Sequence, residues 1–510
     1  MKIARVLRTG ALVLLLFAAV WFAVVLYWQV GDVNPGAGDL ALWLLGLPLA
    51  LLGAFLLLRW GLRRRAARAA TPAVTAGDEE FTSPIDSGPQ LDRIVHLLAS
   101  AAWLRAGAGG AAVAESLAKP ERPPLHPWLK DSIGLPVFAA AVEDLDPAAV
   151  EAPLRAALAE PETFERVFDD ESLRALALLD PVAEELLLAA LPSSSPEIAM
   201  ADGSLSHAEP TLHPHAMHHS RSARAPSPVA MAAAVVRVRL LLPANWTPMA
   251  RQAAGDWLRV KAAALGFAPQ QLQVEVLPAT NGNDSWRMLD QLIQVQARDR
   301  DDDPQLLLAA HSAIGNASIE RLDARRELLV SGHPEGLIPG EGAAGVLLAG
   351  AHVALDPAAP VPLRLHRLLR GQAGGGRGAS RQAAELLQHA MTTAAQPAEA
   401  IALVFSDADH RPSRAIEIAG AIAATLPELD PVDDARHLGL ACGDLGAVAP
   451  LALLAAAAAQ AAQSDAPVLA FGLADPRARV ALALSPIPAP DAGSETPDPA
   501  EAASAAPATA

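Results

Sequence analysis

Cysteine and positive charge are both scarce in this sequence. Its 510 residues include one cysteine, Cys442, so no disulfide can form within the chain, and such a composition suits a reducing compartment. Lysine and arginine number 39 against 56 aspartates and glutamates, which gives a formal net charge of −17. No compact basic stripe outside the N-terminal region offsets that charge, so nucleic acid is not an expected partner.

Charged residues are absent from two apolar runs near the N-terminus, residues 9–30 and 40–58. About 20 helical residues cross a hydrocarbon core of roughly 30 Å, so each run is long enough to span a membrane. No small-residue cleavage motif follows the first run, which argues against a signal peptide. The pattern predicts a hairpin of two transmembrane helices within residues 1–70.

Basic residues flank this predicted hairpin on its outer sides. They are Lys2, Arg5, Arg8, Arg59, Arg63, Arg64, Arg65 and Arg68. Positive flanks stay on the cytoplasmic side of a membrane and are attracted to anionic headgroups. We therefore expect an anchor in inner-membrane lipid, with both termini and the large domain in the bacterial cytoplasm. Residues 71–90 are rich in proline, serine, glycine and acid and are predicted to be a linker.

Short apolar strands alternate with helical patterns through the rest of the chain. An initial helix is predicted over residues 91–117, and the longest later helices over residues 248–265 and 445–462. Strands are predicted at residues 235–242, 272–277, 306–310, 343–349, 401–406, 468–471 and 480–484. This alternation predicts an α/β domain with a largely buried sheet. Residues 488–510 are predicted to be a disordered tail.

Residues 192–228 have no periodicity and are predicted to be a disordered insertion. Five histidines crowd into it: His207, His213, His215, His218 and His219. Neutral imidazole is a common metal ligand, so these residues are candidates for a metal site. Their irregular spacing and the lack of an acid or thiol partner favour a solvated loop instead. No cofactor is expected elsewhere.

Several stretches together resemble one protein family. Residues 306–315 read LLLAAHSAIG, and RRELLVSGHPEGLIPGEGAAGVLLAG runs on to residue 350. Downstream lie IALVFSDADHRPSRAIEIAGAIAATLP, GLACGDLGAVAPLALLAAAAAQA and APVLAFGLADPRARVALAL. In this order they resemble the β-ketoacyl synthase branch of the thiolase-like fold over residues 135–486. The resemblance implies a five-layered α/β/α/β/α sandwich of two similar halves, residues 91–355 and 356–487, and a homodimer paired through an edge strand.

The resemblance also implies a cysteine nucleophile at a helix N-terminus and two basic residues. The nucleophile is expected within PATNGNDS, residues 278–285, which contains no cysteine. The first histidine is expected near Ser406 or Asp407 and the second near Gly443. His410 and Cys442 stand close to these places but are offset from them. The sequence therefore predicts a pseudoenzyme.

Four residues are candidates for catalysis if the protein is active: Ser285, His311, His410 and Cys442. Cys442 and His311 have structural explanations as well, since a lone thiol or histidine more often serves packing. Ser285 would need an adjacent base, and none is visible in the sequence. Under the enzyme hypothesis, an acyl-transfer or lipid-modifying activity at the membrane would use Ser285 or Cys442 as nucleophile and His311 or His410 as base.

The favoured hypothesis is a non-catalytic, membrane-tethered scaffold or adaptor that binds a protein partner. The layout of an anchor followed by a thiolase-like domain resembles adaptors of type VI secretion lipase effectors. That resemblance implies a secretion effector or a spike component as the partner. A third hypothesis is an envelope-stress or metal sensor that uses the histidines of residues 205–220.

Overall fold

A computed structural model describes residues 93–191, 235–299, 303–353, 362–374 and 378–487. The predicted membrane helices, the linker, the histidine-rich insertion and the C-terminal tail lie outside these residues and stay predictions. The described domain is a mixed α/β fold, as the sequence predicts.

The first part of the domain contains eight strands and seven helices among its described residues. The strands are β1 (Val95–Leu104), β2 (Gly107–Ala108), β3 (Leu125–Lys130), β4 (Pro136–Phe138), β5 (Val236–Pro243), β6 (Leu272–Ala279), β7 (Gln305–Ser312) and β8 (Glu341–Gly350). The helices are α1 (Gly110–Ala118), α2 (Glu151–Ala157), α3 (Phe164–Val167), α4 (Asp170–Ala190), α5 (Pro248–Ala264), α6 (Gly282–Asp299) and α7 (Asn316–Ala324).

The second part is smaller. Its described strands are β9 (Leu363–Leu365), β10 (Leu369–Gln372), β11 (Val404–Ser406), β12 (Ala435–His437), β13 (Val468–Gly472) and β14 (Ala478–Pro486). Its described helices are α8 (Ala379–Ala394), α9 (Pro412–Thr425), α10 (Leu438–Cys442) and α11 (Ala449–Ser464). A single 3-10 turn, Gly446–Val448, leads into α11.

The two parts repeat one strand order. Numbered along the chain, strands 1 to 5 are β1, β5, β6, β7 and β8 in the first part and β9, β11, β12, β13 and β14 in the second. The sheet order β12-β11-β13-β14-β9-β1-β8-β7-β5-β6 therefore reads 3-2-4-5-1 in each part, and the two orders meet where β1 pairs with β9. Strands 3, 2 and 4 are parallel and strands 5 and 1 antiparallel to their neighbours in both.

Three apolar clusters are separated by the two half-sheets, because alternate residues of a strand point to opposite faces. One cluster joins α4 and α5 to one face of the first half-sheet, for example at Leu240 and Leu308. A second joins the opposite face, through Leu241 and Leu307, to α6, α11 and one face of the second half-sheet. A third joins the remaining face to α8 and α9. The layers thus run α/β/α/β/α.

Helix α11 lies in the middle layer, and its sequence explains how it fits there. Alanine fills most of its positions, and its residues from Pro450 to Ala458 are all buried. Together with the preceding turn, Gly446–Ser464 has the length and apolarity of a membrane span, but 72% of that window is buried inside the protein. Within the described ranges this is a core helix, and its burial on all sides accounts for its lack of a polar face.

The helix predicted for residues 91–117 is wrong over most of its length. Residues 95–104 form strand β1, and a helix begins at Gly110. Strand β1 lies between α4 on one face and α11 on the other, so it is apolar on both faces and lacks the alternation of a half-buried strand. Such a run resembles a buried helix by composition alone.

Candidate functional site

A cavity of about 510 Å³ lies where equivalent loops of the two parts meet. Parts of five segments line it, residues 280–286, 326–337, 407–414, 438–449 and 472–480. Helices α6 and α11 both follow strand 3 of their part, so the repeat brings their N-terminal ends to the same cavity. Among the described residues that line it there is no serine, cysteine or lysine.

The N-terminal end of α6 is the place expected for a nucleophile. The helix begins at Gly282, so the residue before it is Asn281. The Asn281 side chain accepts a hydrogen bond from the backbone N–H of Asn283 at 2.9 Å. The Thr280 hydroxyl donates to Asp284 at 2.7 Å. The polar groups at this helix end therefore stabilise the turn, and neither is a thiol.

Ser285 lies one turn further along α6 and does not line the cavity. Its side chain is fully buried, and its Oγ donates a hydrogen bond of 2.5 Å to the carbonyl oxygen of Ala447. That bond links α6 to the turn before α11. The geometry gives Ser285 a structural contact in place of a base.

Asp407 lines the cavity at the place expected for the first histidine. It follows β11 directly and is 6% exposed. Its Oδ1 accepts hydrogen bonds from the backbone N–H groups of Leu473 at 2.6 Å and Ala474 at 3.0 Å. Burial raises the pKa of Asp407 to about 6, although the two backbone bonds oppose that rise.

Gly443 occupies the place expected for the second histidine and cannot carry a side chain. Its φ is +65°, a conformation that favours glycine. A Cβ added there would lie 2.5 Å from the carbonyl oxygen of Ile338. Gly340, in the glycine-rich turn, is equally constrained, because a Cβ would collide with the carbonyl oxygen of Cys442. These glycines let two loops pack backbone to backbone beside the cavity.

The other three candidates from the sequence are not brought together at the cavity. Cys442 is fully buried in the middle layer, and burial raises the pKa of its thiol to about 12. The imidazole of His311 lies beside Gly446, where an added Cβ would be 3.2 Å from its Nδ1. Burial lowers the pKa of His311. Neither ring nitrogen of His410 has a hydrogen-bond partner among the described residues.

A serine–histidine contact that the sequence did not predict lies beside the cavity. Ser406 Oγ and His437 Nδ1 are 2.7 Å apart, because β11 and β12 are parallel and pair these residues in register. Ser406 is fully buried, and neither residue lines the cavity. Burial lowers the pKa of His437, so the imidazole is neutral near pH 7. The contact joins the carboxyl ends of the two strands.

Metal binding finds no support in the part of the chain that the structure describes. No group of three or more histidine, cysteine, aspartate or glutamate side chains there is arranged to hold an ion. The five histidines of the insertion lie outside the described residues, so that hypothesis stays a prediction.

Comparisons with known proteins find similarity in structure only. No family model matches the sequence, and no curated protein matches it. A structure of the ishigamide ketosynthase/chain length factor has a TM-score of 0.48 at 14% identity, covering 77% of this chain and 99% of that one. A β-ketoacyl synthase from Burkholderia phymatum STM815 has a TM-score of 0.46 at 13% identity, with coverage of 77% and 99%. A ketosynthase from module 6 of the bacillaene synthase of Bacillus subtilis 168 has a TM-score of 0.48 at 10% identity, with coverage of 78% and 71%. At these identities and TM-scores the likenesses say nothing about the reaction or ligand of this chain.

Proposed function

We propose that this chain is a thiolase-like protein without condensing activity, and that it serves as a membrane-tethered scaffold or adaptor for a protein partner. Two features support the thiolase-like assignment. The strand order 3-2-4-5-1 occurs twice, which agrees with the two similar halves that the sequence resemblance implies. The PGEGA stretch, residues 339–343, leads into the core strand β8 that closes the first of them.

The observation that carries the loss of activity is the identity of three residues around one cavity. Asn281, Asp407 and Gly443 stand where a nucleophile and two histidines are expected, and all three line that cavity. An amide is not a thiolate equivalent, and a carboxylate would repel a developing oxyanion rather than stabilise it. Gly443 supplies no side chain at all. None of the three expected reactive groups therefore lines the cavity, and its one described histidine, His333, comes from the loop before β8.

Tethering and the partner's identity rest on the sequence. The uncharged runs at residues 9–30 and 40–58 support an inner-membrane anchor, with the domain on the cytoplasmic side. The resemblance of this layout to effector adaptors supports a type VI secretion effector, or a component of the secretion spike, as the partner. A homodimer stays a prediction, and β6 is the edge strand of the first half-sheet that would form it.

A partner surface is suggested by the hairpin of β3 and β4. Ten large apolar side chains are exposed among the described residues, and four of them lie within this short segment. They are Leu125 (50% exposed), Trp128 (72%), Ile133 (76%) and Leu135 (52%). The hairpin is a separate two-stranded sheet. Its Leu129 and Val137 are buried against residues of α7 and the loops beside it, while the four side chains above stay exposed. Clustered exposed apolar residues of this kind mark interaction sites more often than scattered ones.

Photocrosslinking in cells tests this surface. A benzophenone amino acid placed at Ile133 should give a discrete covalent adduct with one protein, because that side chain projects from the hairpin. The matched control is Val432, which is equally exposed at 76% but lies outside the hairpin, before β12. Immunoblotting against the chain should show the adduct at residue 133 and none at 432. Adducts at neither position, or equal adducts at both, would contradict docking at the hairpin.

The Ser406–His437 contact favours a second candidate function, an acyl-transfer or lipid-modifying enzyme. A serine within hydrogen-bond reach of an imidazole is the minimal arrangement for nucleophilic catalysis. Against it, Ser406 is fully buried and does not line the cavity. A second contact of the same kind, between Ser485 Oγ and His366 Nε2 at 2.8 Å, is buried on both sides and shows that this domain uses such pairs in its core.

Labelling with covalent probes separates the two functions. We expect no incorporation of a fluorophosphonate or an acyl thioester into the folded chain, measured by mass spectrometry. The physical reason is that Ser285, Ser406 and Cys442 are all inaccessible to solvent. Labelling that disappears in Ser406→Ala and persists in the control Ser485→Ala would establish the enzyme and overturn the adaptor proposal.

A further inference from the structure

We propose that the cavity between α6, α11 and the loop after β11 binds an organic cation that carries ammonium or guanidinium groups, with Asp407 as its anchoring carboxylate. This inference rests on the proposed function, because a cavity in a protein without condensing activity need not hold an acyl group.

Carboxylates outnumber cationic side chains around the cavity. The acidic lining residues are Glu327, Glu335, Asp407, Asp409, Asp444 and Asp475. The basic ones are Arg326, His333, Arg411 and Arg414. Arg411 is already paired with Asp409 at 2.5 Å, and Arg414 donates to the backbone oxygens of Ala474 and Asp475. The remaining charge favours a cation, because a cleft lined by one sign of charge concentrates the opposite sign.

Asp407 supplies the specific contact that an acidic surface alone lacks. It is more than nine-tenths buried, and its Oδ1 is occupied by two backbone N–H groups. Its Oδ2 accepts no hydrogen bond from any described residue, while the side chain lines the cavity. Arg414 and Arg479 lie near enough to interact with its charge, but neither donates a hydrogen bond to Oδ2, so that oxygen can accept one from a ligand in the cavity. An ammonium or guanidinium N–H is such a donor and also neutralises the charge.

The size and lining of the cavity favour an organic cation over a metal ion. A volume of about 510 Å³ is far larger than a single ion with its ligands needs, and lies in the range of small-molecule sites. The described acidic side chains are not grouped closely enough to coordinate a metal. The indole of Trp286 also lines the cavity, and aromatic rings attract organic cations.

Isothermal titration of the full-length chain in detergent with spermidine and with agmatine tests the proposal. The expected result is saturable binding of at least one amine, at least tenfold weaker in Asp407→Asn. That variant keeps an oxygen that can accept the Leu473 and Ala474 bonds, so the fold should survive, as circular dichroism can check. The matched control is Glu165→Gln, which removes one charge from a side chain that is 81% exposed and outside the cavity.

A second arm distinguishes a free amine from a side chain presented by a protein. A short peptide with one lysine and one arginine between glycines should compete with a labelled amine only if the cavity also accepts a tethered cation. Binding of neither probe, or equal weakening by Asp407→Asn and Glu165→Gln, would overturn the cation site. These titrations use the chain alone, so they can fail while crosslinking at residue 133 succeeds, and the reverse.

Discussion

Replacing Glu341 with glutamine is expected to lower the free energy of unfolding by about 3 kcal/mol. Glu341 is the acidic residue of the PGEGA stretch, and its side chain is fully buried. It accepts hydrogen bonds from the backbone N–H of Val142 at 2.8 Å, from Ser312 Oγ at 2.9 Å and from Arg174 Nε at 2.7 Å. Arg174 also contacts its other oxygen, so the pair is bidentate.

The large effect follows from what the substitution leaves behind. The Arg174 side chain is 19% exposed, so loss of the carboxylate leaves a mostly buried guanidinium without its counter-charge. Glutamine has nearly the same shape as glutamate, so the substitution removes the negative charge and keeps the packing. Urea unfolding followed by tryptophan fluorescence measures the difference, using the full-length chain in detergent.

The matched control for this prediction is again Glu165→Gln. Glu165 pairs with Arg155 at 3.4 Å, but both side chains are largely exposed, at 81% and 44%. Exposed pairs contribute about 0–1 kcal/mol, so this variant should unfold at nearly the wild-type urea concentration. Equal midpoints for the two variants would show that Glu341 does not stabilise the junction of β8 with the preceding loops.

Asp407→Asn is expected to stabilise the protein by about 3 kcal/mol at pH 8, an effect of the opposite sign. The pKa of Asp407 is raised from 3.8 to about 6, because burial disfavours the ionised form. A group with a raised folded-state pKa stabilises the fold below its unfolded value. That contribution is lost as the pH rises through the folded value. Asparagine has no charge to bury and so avoids the loss.

The pH dependence of this variant provides the test. Wild type should lose stability between about pH 4 and pH 6 relative to Asp407→Asn, and the two should converge below pH 4. Thermal unfolding at pH 4, 6 and 8 measures this difference. A variant that is less stable than wild type at pH 8 would mean that the neighbouring Arg414 and Arg479 compensate the buried charge, and that Asp407 is ionised at no cost.

Local sequence patterns were sufficient where an element has an unambiguous period or composition. Strand β7 reads as a continuous apolar run and lies between parallel and antiparallel neighbours in the core. Helix α5 begins after Thr247, whose hydroxyl accepts from Ala250 N–H at 3.1 Å, with Pro248 at its first position. These start signals are local, so they can be recognised without knowledge of the fold.

Local patterns were insufficient where burial on two faces removes the period. Strand β1 and the first turns of a buried helix have the same apolar composition, which explains the wrong helix at residues 91–117. The three-residue strands β9 and β12 are too short to carry a pattern of their own. Missing β12 also concealed the Ser406–His437 contact, because only parallel pairing brings these two residues together.

For the candidate site, the sequence indicated which segments should contain the reactive positions, and the structure identified the residues that line the cavity. The resemblance led to Asp407 and Gly443, but it placed the nucleophile position no more finely than residues 278–285. The observed start of α6 at Gly282 makes Asn281 the residue at the helix end and moves Ser285 into the core. Helix ends are set by tertiary contacts as much as by propensity, so this detail could not be read from the chain alone.

The sequence by itself determined the absence of disulfides, the acidic character of the chain, the two uncharged N-terminal runs, the α/β alternation and the absence of a cysteine within residues 278–285. These are properties of composition and order along the chain. The tertiary structure alone decided which side chains meet at the cavity and that Ser285 and Cys442 are inaccessible. It also decided that Asp407 is buried at the cavity wall, where its Oδ1 accepts two backbone hydrogen bonds. Burial and proximity depend on residues that are far apart in sequence, and here they depend on two repeated halves that bring equivalent loops to one place.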